Sequence, residues 1–176
     1  DASVLYREIR DVVDFHRGSV CDVAAMRAAL DGIDTVVHYA AETGTGQSMY
    51  AIRHYSDVNV GGTAILLDLI ANEQLPVTRV VVASSRSVYG EGAYVCPTHG
   101  TVFPSPRTAQ AMQGGDFEIH CPHCGAVVVM APTREDAPLL PHSVYGVTKL
   151  TQEQLVLAVG RALGISAIAL RYQNVY

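Results

Sequence analysis

The sequence carries little charge and no long apolar run. Only 16% of its 176 residues are charged, while 49% are hydrophobic, which indicates extensive internal packing around a sizeable core. No apolar run reaches the roughly 18 residues that a membrane-spanning helix needs. The net charge is -5, whereas a protein that binds nucleic acid or an anionic membrane surface usually carries a patch of basic residues. We therefore expect neither nucleic acid nor a membrane as a partner.

Cysteine is scarce as well, with four residues in the chain. Cys21 stands alone, whereas the other three lie in two short segments that share one frame, Cys-Pro-x-ligand-Gly, at 96–100 and 121–125. This arrangement is typical of metal binding in a reducing compartment rather than of a disulfide framework. The sequence therefore predicts a cytoplasmic protein.

Each of the two segments offers two metal ligands separated by two residues, and the glycine after the second ligand supplies the backbone freedom of a tight turn. Two such turns predict a closed, four-ligand zinc site with a structural role, because four protein ligands leave no open position for water or substrate. A redox role or no metal at all are the alternatives, and His120 and His123 are alternative donors outside the shared frame. The predicted ligands are Cys96, His99, Cys121 and Cys124.

Short β-branched runs alternate with longer amphipathic stretches along most of the chain. This alternation predicts an α/β fold, a Rossmann-type doubly wound parallel sheet with right-handed crossovers. The runs at 34–41 and 79–84 are nearly all apolar, as in strands buried on both faces. The remaining predicted elements are strands at 12–16 and 166–172 and helices at 22–31 (with Asp22 as N-cap), 47–74 and 143–163 (closed by Gly164).

The stretch 92–137 interrupts this rhythm. It is rich in proline and glycine, contains both cysteine-bearing segments and shows no amphipathic period. We therefore predict a Rossmann-type domain formed by residues 1–91 and 138–176, interrupted by a zinc-ribbon-like insertion at 92–137.

Tyr145 and Lys149 are four residues apart on a predicted helix, so their side chains share one face. A free phenol is a poor base at neutral pH, but a nearby ammonium favours its phenolate, which can take a proton from a sugar or alcohol hydroxyl. Removal of hydride from the same carbon needs an acceptor, which implies a nicotinamide. Ser85 ends a predicted strand, where open α/β sheets place their sites, and its hydroxyl can hold the reacting oxygen. The alternative is an exposed helical pair beside a loop-capping serine.

Four segments resemble the extended short-chain dehydrogenase/reductase family, in particular its NAD-dependent nucleotide-sugar epimerases and dehydratases. They are His38–Ala41, Asn59–Thr63 (Asn-Val-x-Gly-Thr in the family), Ser84–Gly90 (Ser-Ser-x-x-Val-Tyr-Gly) and Leu170–Tyr176. The resemblance implies that Tyr145 is the base, that Lys149 assists it and holds the nicotinamide ribose, and that Ser85 orients the sugar.

The same resemblance implies two sets of binding residues. The cofactor set is Ser19, Val20, Tyr39, Ala40, Ala41, Asn59, Tyr145, Lys149 and Tyr172, and the substrate set is Ser85, Ser87, Tyr145 and Asn174. Simpler roles stay open for some of them: Ala40 and Ala41 as small core residues, Asn59 as a helix hydrogen-bonding residue, and Asn174 as a loop cap.

The chain also departs from the family pattern. The glycine-rich pyrophosphate turn, the acidic residue that selects NAD over NADP and the carboxyl-terminal substrate domain are not in this sequence, so we expect a fragment that binds NAD poorly and is inactive alone. Gln173 replaces the usual phenylalanine. Ser19 stands where many members place an aspartate against adenine.

Arg86 and Ser87 occupy the places where the sugar 4,6-dehydratases carry an Asp-Glu pair, which favours epimerisation at C4. The insertion resembles that of a bacterial branch acting on dTDP-L-rhamnose, so we expect an NAD-dependent 4-epimerase of a dTDP-6-deoxyhexose. The alternatives are a UDP-hexose or UDP-uronate 4-epimerase, an NDP-4-ketosugar reductase, and a non-catalytic NAD-sensing or interaction module. Family members usually dimerise through two helices per subunit, which would be 47–74 and 143–163 here.

Overall fold

The computed structural model describes residues 4–174, and none of its helices is long and apolar enough to span a bilayer. The strands are β1 (Thr35–His38), β2 (Arg79–Ser85), β3 (Tyr94–Cys96), β4 (Gly100–Val102), β5 (Val129–Met130) and β6 (Ser166–Tyr172). The α-helices are α1 (Val4–Ile9), α2 (Val23–Ala29), α3 (Thr45–Ser48), α4 (Ile52–Tyr55), α5 (Gly62–Asn72), α6 (Ala109–Gln113) and α7 (Val144–Leu163). A π-helical segment (Ser56–Gly61) joins α4 to α5, and a 3₁₀ turn (Arg86–Tyr89) follows β2.

The main sheet is parallel, with the strand order β1-β2-β6. Its register aligns Val36, Val80 and Ala167, so these side chains point to the same face. That face forms the main core, which includes the fully buried Leu66 of α5 and Val156 of α7. The predicted parallel α/β architecture is therefore confirmed.

The opposite face of the sheet is open among the described residues. Val37 of β1 is 53% exposed and Ile168 of β6 is 42% exposed, since α5 and α7 pack on the other face. The prediction that 34–41 is buried on both faces is therefore wrong: β1 is an edge strand with one covered face.

The predicted strand at 12–16 is absent. Val12 and Val13 instead belong to a turn after α1, in which the N–H of Val12 donates to the Ile9 carbonyl at 2.9 Å. Val12 is 80% exposed, and the main sheet contains only β1, β2 and β6 within residues 4–174. An extended segment becomes a strand only where a neighbouring strand accepts and donates its hydrogen bonds. The next element follows the prediction, because Asp22 caps α2 by accepting hydrogen bonds from the N–H groups of Ala24 and Ala25.

The predicted helix 47–74 is divided. α3 ends at Ser48, and a new helical run begins at Ile52 and continues through the π-helical segment to Asn72. The π-helical segment carries Asn59 on its inner side, where the side chain is fully buried. Insertions of this kind in a helix are frequent at functional sites.

The predicted helix 143–163 is confirmed at both ends. The Ser143 hydroxyl oxygen accepts a hydrogen bond from the N–H of Gly146 at 3.0 Å, which satisfies one donor of the first turn of α7. Gly164 ends the helix with φ of 69°, a left-handed conformation that favours glycine.

The insertion is built around β3, β4 and β5, which form a small antiparallel sheet. It has a core of its own, consisting of Tyr94, Cys96, Val102, Ile119, Cys121 and Val128. Its two ends meet, since the N–H of Ala131 donates to the carbonyl of Ala93 at 2.9 Å. This agrees with a separate packing unit at 92–137, although the exact boundaries stay a prediction.

Candidate active site and metal cluster

Ser85 is the last residue of β2, at the carboxyl end of the parallel sheet, where open α/β folds place their ligands. Its hydroxyl oxygen accepts a hydrogen bond from the N–H of Ser87 at 3.2 Å, which begins the 3₁₀ turn. Tyr145 lies in the first turn of α7. The strand end and the helix start meet at the wall of a cavity of about 930 Å³.

This larger cavity brings together all four residues of the predicted substrate set: Ser85, Ser87, Tyr145 and Asn174. The Ser87 hydroxyl oxygen is buried and has no hydrogen-bond partner within residues 4–174. A buried hydroxyl without a partner is unusual, because its desolvation is not compensated.

A second, smaller cavity of about 350 Å³ adjoins the first. It contains most of the predicted nicotinamide-side residues: Tyr39, Ala41, Tyr145, Lys149 and Tyr172. Both cavities have Ser85 and Tyr145 in their walls, so these two side chains stand at the boundary between them.

Two tyrosines from opposite edges of the sheet meet beside the smaller cavity. The hydroxyl groups of Tyr39 and Tyr172 are 2.7 Å apart, and their ring centroids are 6.0 Å apart. This hydrogen bond raises the pKa of Tyr172. Gln173, the residue that departs from the family pattern, lines both cavities.

Lys149 is only 2% exposed, although it carries an ammonium group. Its Nζ donates a hydrogen bond to Gln152 Oε1 at 2.8 Å. Burial lowers the pKa of Lys149 to about 8, because the charged form loses hydration. His38 lies nearby, and burial together with the positive charge of Lys149 lowers its pKa to about 4.

Four residues of the predicted cofactor set lie outside these two cavities. Ser19 and Val20 line a separate cavity of about 390 Å³ beside α2. Asn59 is fully buried, where it accepts from the N–H of Glu42 at 2.7 Å and donates to Thr148 Oγ1 at 2.9 Å. Its amide is thus committed to fixing the segment that follows β1. Ala40, in that segment, is exposed.

The sequence patterns missed two side chains beside the predicted residues. Ser48 contacts the backbone of Tyr145, and Gln152 contacts Lys149. No periodicity connects positions 48 and 145, so only the folded chain reveals the first contact. Gln152 lies on the same helix as Lys149, but a buried glutamine at this spacing has no chemical signature of its own.

A buried ion pair ties the strand ends to the insertion. Arg171 of β6 donates to Glu153 of α7 at 2.6 Å, and Glu153 also accepts from Ser84 at 2.7 Å. Burial alone would raise the pKa of Glu153, but the hydrogen bonds from Arg171 and Ser84 hold it below its ordinary value. Arg171 also donates to the Tyr89 hydroxyl at 2.7 Å and the Glu135 carbonyl at 2.8 Å.

The four predicted metal ligands form one cluster, and their ligand atoms all lie within 4.8 Å of one another. Cys96 Sγ is 3.5 Å from His99 Nδ1 and 3.7 Å from Cys124 Sγ. Cys121 Sγ is 3.6 Å from the same His99 nitrogen. A tetrahedral zinc site with ordinary bond lengths has edges of about 3.8 Å between sulfurs and about 3.6 Å between sulfur and nitrogen.

These separations fit a metal site and exclude a disulfide, which needs about 2.05 Å between sulfurs. All four cysteines are free, and Cys96 and Cys121 are buried in the core of the insertion. Burial alone would raise the pKa of Cys96, but hydrogen bonds, first of all from His99, lower it to about 6 and favour the thiolate that binds metals. His120 instead contacts Asp116 and the Gly125 carbonyl.

A parallel α/β domain with serine, tyrosine and lysine at the carboxyl edge of its sheet defines the class of extended short-chain dehydrogenases/reductases. The comparison with known families agrees with this class and identifies a family within it. Residues 3–112 and 123–176 match the NAD dependent epimerase/dehydratase family, and the chain belongs to this family. The unmatched stretch falls within the insertion.

The individual relatives that the chain matches include nucleotide-sugar epimerases. The chain is 36% identical over 160 residues to the dTDP-L-rhamnose 4-epimerase of Burkholderia thailandensis, covering 89% of this chain and 42% of that protein. It is 29% identical to the UDP-glucose 4-epimerase of Streptomyces lividans, covering 92% and 38%. The crystal structure of UDP-glucose 4-epimerase from Brucella ovis in complex with NAD matches with a TM-score of 0.65 and 27% identity, covering 92% and 38%. The chain thus spans about two fifths of the length of these relatives.

Proposed function

We propose that this chain carries the catalytic residues of an NAD-dependent nucleotide-sugar 4-epimerase. The observation that carries the proposal is the position of Ser85 and Tyr145 at the boundary of two adjoining cavities, one of which also contains Lys149. A reaction that exchanges hydride between a sugar carbon and a nicotinamide needs its base at such a boundary. The names of the relatives, all nucleotide-sugar enzymes, support the same class.

In this mechanism, the sugar lies in the larger cavity with its O4 against Tyr145. The Tyr145 oxygen takes the O4 proton, and the Ser85 hydroxyl holds the same oxygen as its charge changes. A bound NAD would supply the acceptor for the C4 hydride, and the 4-keto sugar would have to turn over in the larger cavity before its opposite face could be reduced. Tyr145 then returns the proton, so no net redox change occurs. The Lys149 ammonium would stabilise the phenolate, and it is the residue that would hold the nicotinamide ribose of a bound NAD.

The smaller cavity fits the nicotinamide side of NAD. It lies at the carboxyl ends of β1, β2 and β6 and is walled by Tyr39, Ala41 and Tyr172, with Ala40 beside it. The cavity near Ser19 and Val20 would take the adenine side. We assign Asn59 an indirect role, because its amide already fixes the Glu42 backbone. The epimerase from Brucella ovis, solved in complex with NAD, supports NAD as the cofactor.

For the substrate, we propose a dTDP-6-deoxyhexose such as dTDP-L-rhamnose. The relative from Burkholderia thailandensis, which carries that activity in its name, supports this choice. Ser87 and Asn174 line the larger cavity and would contact the sugar. A UDP-hexose is the second candidate, because the relative from Streptomyces lividans is a UDP-glucose 4-epimerase. Arg86 and Ser87 offer no carboxylate to remove water, which speaks against a dehydratase.

The test is to incubate the full-length native protein with dTDP-L-rhamnose in heavy water and to follow the sugar protons by NMR. Inversion at C4 with the C4 proton retained supports hydride transfer and the substrate together. Inversion with deuterium at C4 would contradict the mechanism. Turnover of a UDP-hexose or a UDP-uronate alone would keep the mechanism and replace the substrate.

We further propose that Cys96, His99, Cys121 and Cys124 hold a structural zinc ion. The match between their separations and a tetrahedral site supports this, and four protein ligands leave no position for catalysis. Free thiols also fit a reducing compartment such as the cytoplasm.

A homodimer through the helices at 47–74 and 143–163 is part of the same proposal. Apolar side chains on both remain exposed, with Ile52 at 56% and Val147 at 50%. A lysine at position 147 should dissociate such a dimer, which sedimentation analysis of the full-length protein can measure.

A further inference from the structure

A chain of buried polar side chains lies behind Lys149, and neither the family resemblance nor the proposed reaction explains it. Lys149 donates to Gln152 Oε1 at 2.8 Å, and Gln152 Nε2 donates to Thr63 Oγ1 at 2.7 Å. Thr63 Oγ1 in turn donates to the Asn59 carbonyl at 2.6 Å. Gln152 and Thr63 are both fully buried, so water does not compete for these bonds.

The hydrogens in this chain fix the orientation of the Gln152 amide. The single hydroxyl hydrogen of Thr63 goes to the Asn59 carbonyl, so Thr63 Oγ1 must accept from its other neighbours. It accepts from Gln152 Nε2, and it lies 2.9 Å from His38 Nε2, which is also 3.3 Å from Gln152 Nε2. The NH₂ end of the amide therefore faces Thr63, and its oxygen faces Lys149. A flipped amide would direct a donor at an ammonium, which is itself only a donor.

Among the groups around Lys149, Gln152 accepts the hydrogen bond from its ammonium. His38 faces Lys149 from β1 and is neutral at pH 7, because burial and the charge of Lys149 lower its pKa to about 4. The remaining titratable groups in the smaller cavity are the hydroxyls of Tyr39, Tyr145 and Tyr172. Glu153, the next residue on the helix, is committed to Arg171 and Ser84.

We propose that Gln152 is a positioning residue that holds the Lys149 side chain and stabilises its ammonium form, with Thr63 fixing the orientation of the amide. This rests on the proposed function only in so far as Lys149 assists Tyr145. An ammonium buried to this degree needs an acceptor, because an unpaired buried charge is expensive. Gln152 supplies one without adding a negative charge beside the base.

The experiment measures the acid dissociation constant of Lys149 in the full-length native protein, by NMR titration of its ¹³Cε resonance without substrate. The Gln152→Met variant keeps a chain of similar length but removes the acceptor. We expect the dissociation constant to increase about tenfold, because a hydrogen bond to a charged group is among the stronger ones. Gln154→Met is the matched control, since Gln154 is exposed on the same helix, and should change nothing.

Gln152→Glu should decrease the acid dissociation constant of Lys149, since a carboxylate within reach of Nζ favours the ammonium. Thr63→Val should increase the dissociation constant of Lys149, as Gln152→Met does, because the Gln152 amide loses the acceptor that orients it. These two variants also decide the question if Gln152→Met does not fold. A Lys149 dissociation constant equal to wild type in the folded variants, or the same direction of change for Met and Glu, would overturn the proposal.

The pH profile of turnover then connects this result to activity. If Gln152→Met changes the Lys149 dissociation constant and shifts the pH profile of kcat, both proposals stand. If the constant changes while the wild-type protein epimerises no nucleotide sugar, the positioning role stands and the proposed function fails.

Discussion

The main-chain N–H of Tyr145 donates a hydrogen bond to the Ser48 hydroxyl oxygen at 3.0 Å, across 97 residues of sequence. Ser48 itself donates to the Thr45 carbonyl at 2.6 Å and is fully buried. The first N–H groups of a helix have no partner within the helix, and here one of them is satisfied by the last residue of α3. Thr45 of α3 and Thr43 before it line the larger cavity, so the helix that carries Tyr145 and the cavity wall are fixed to each other.

Replacing Ser48 with alanine should therefore weaken both stability and catalysis. The Tyr145 N–H would be left without a partner, at a cost of about 1–3 kcal/mol in the free energy of unfolding. We also expect kcat to fall more than KM rises, since the start of α7 loses its anchor. Chemical denaturation and steady-state kinetics measure the two effects. Ser105→Ala, at an exposed position in the insertion, should change neither.

The Tyr145→Phe variant separates an enzyme from a binding module. Loss of the phenolic oxygen should reduce turnover about 10²–10⁴-fold, the usual contribution of a general base, while the fold stays intact. The control is Tyr50→Phe, because Tyr50 is 95% exposed and lies outside the site. Unchanged turnover in Tyr145→Phe would remove Tyr145 from the mechanism.

Removal of one partner of the Arg171–Glu153 ion pair should strongly decrease the free energy of unfolding. Arg171→Met leaves the Glu153 carboxylate buried without its cation, and we expect a loss of about 3–5 kcal/mol in unfolding free energy. The double variant Arg171→Met/Glu153→Gln should recover much of this loss. Equal stability of the single and double variants would show that the carboxylate finds another partner. Exposed Arg161→Met serves as the control.

His38 predicts a specific acid sensitivity. Its pKa falls from 6.5 in the unfolded chain to about 4 in the folded protein, so the unfolded state binds the proton more tightly. The free energy of unfolding should therefore decrease as the pH falls from about 6.5 to about 4, by about 3 kcal/mol at most. Denaturation curves across this range should show a flatter pH dependence for His38→Gln. The exposed His16→Gln variant should retain the wild-type slope.

Metal removal should affect the insertion first. Cys124→Ser or a strong chelator should reduce bound zinc, measured by elemental analysis, from about one per chain to near zero, because a three-ligand remnant binds more weakly. We expect the core around Tyr94 and Val102 to lose its hydrogen-exchange protection. Cys21 lies outside the cluster, so Cys21→Ser should keep its zinc. Full protection of this core without metal would contradict a structural role.

The residues that sequence reasoning could identify are those whose chemistry is local. Tyr145 and Lys149 share a helix, and each pair of cysteine-segment ligands shares a tight turn, so spacing alone brings them together. Ser85 followed from the end of a strand. The partners of these groups come from elsewhere in the chain: Ser48 and Thr63 reach them only through packing.

The errors have a similar origin. The local pattern predicted a strand at 12–16 and burial of the strand at 34–41 on both faces. Both properties depend on neighbouring elements that the described residues do not supply. The helix predicted at 47–74 is interrupted after Ser48, where that side chain turns inward to contact Tyr145.

Near the base of the insertion, the N–H of Ala131 donates to the Ala93 carbonyl, and the N–H of Ala93 donates to the Thr133 hydroxyl oxygen. Two points of the chain held this close leave the segment between them free to pack around a core of its own. Its length and loops can vary without any change in the spacing of the parallel strands, and a short linker across its base would remove it altogether. We expect the reverse to hold as well, so that this segment could be transferred to another turn after a serine-bearing strand.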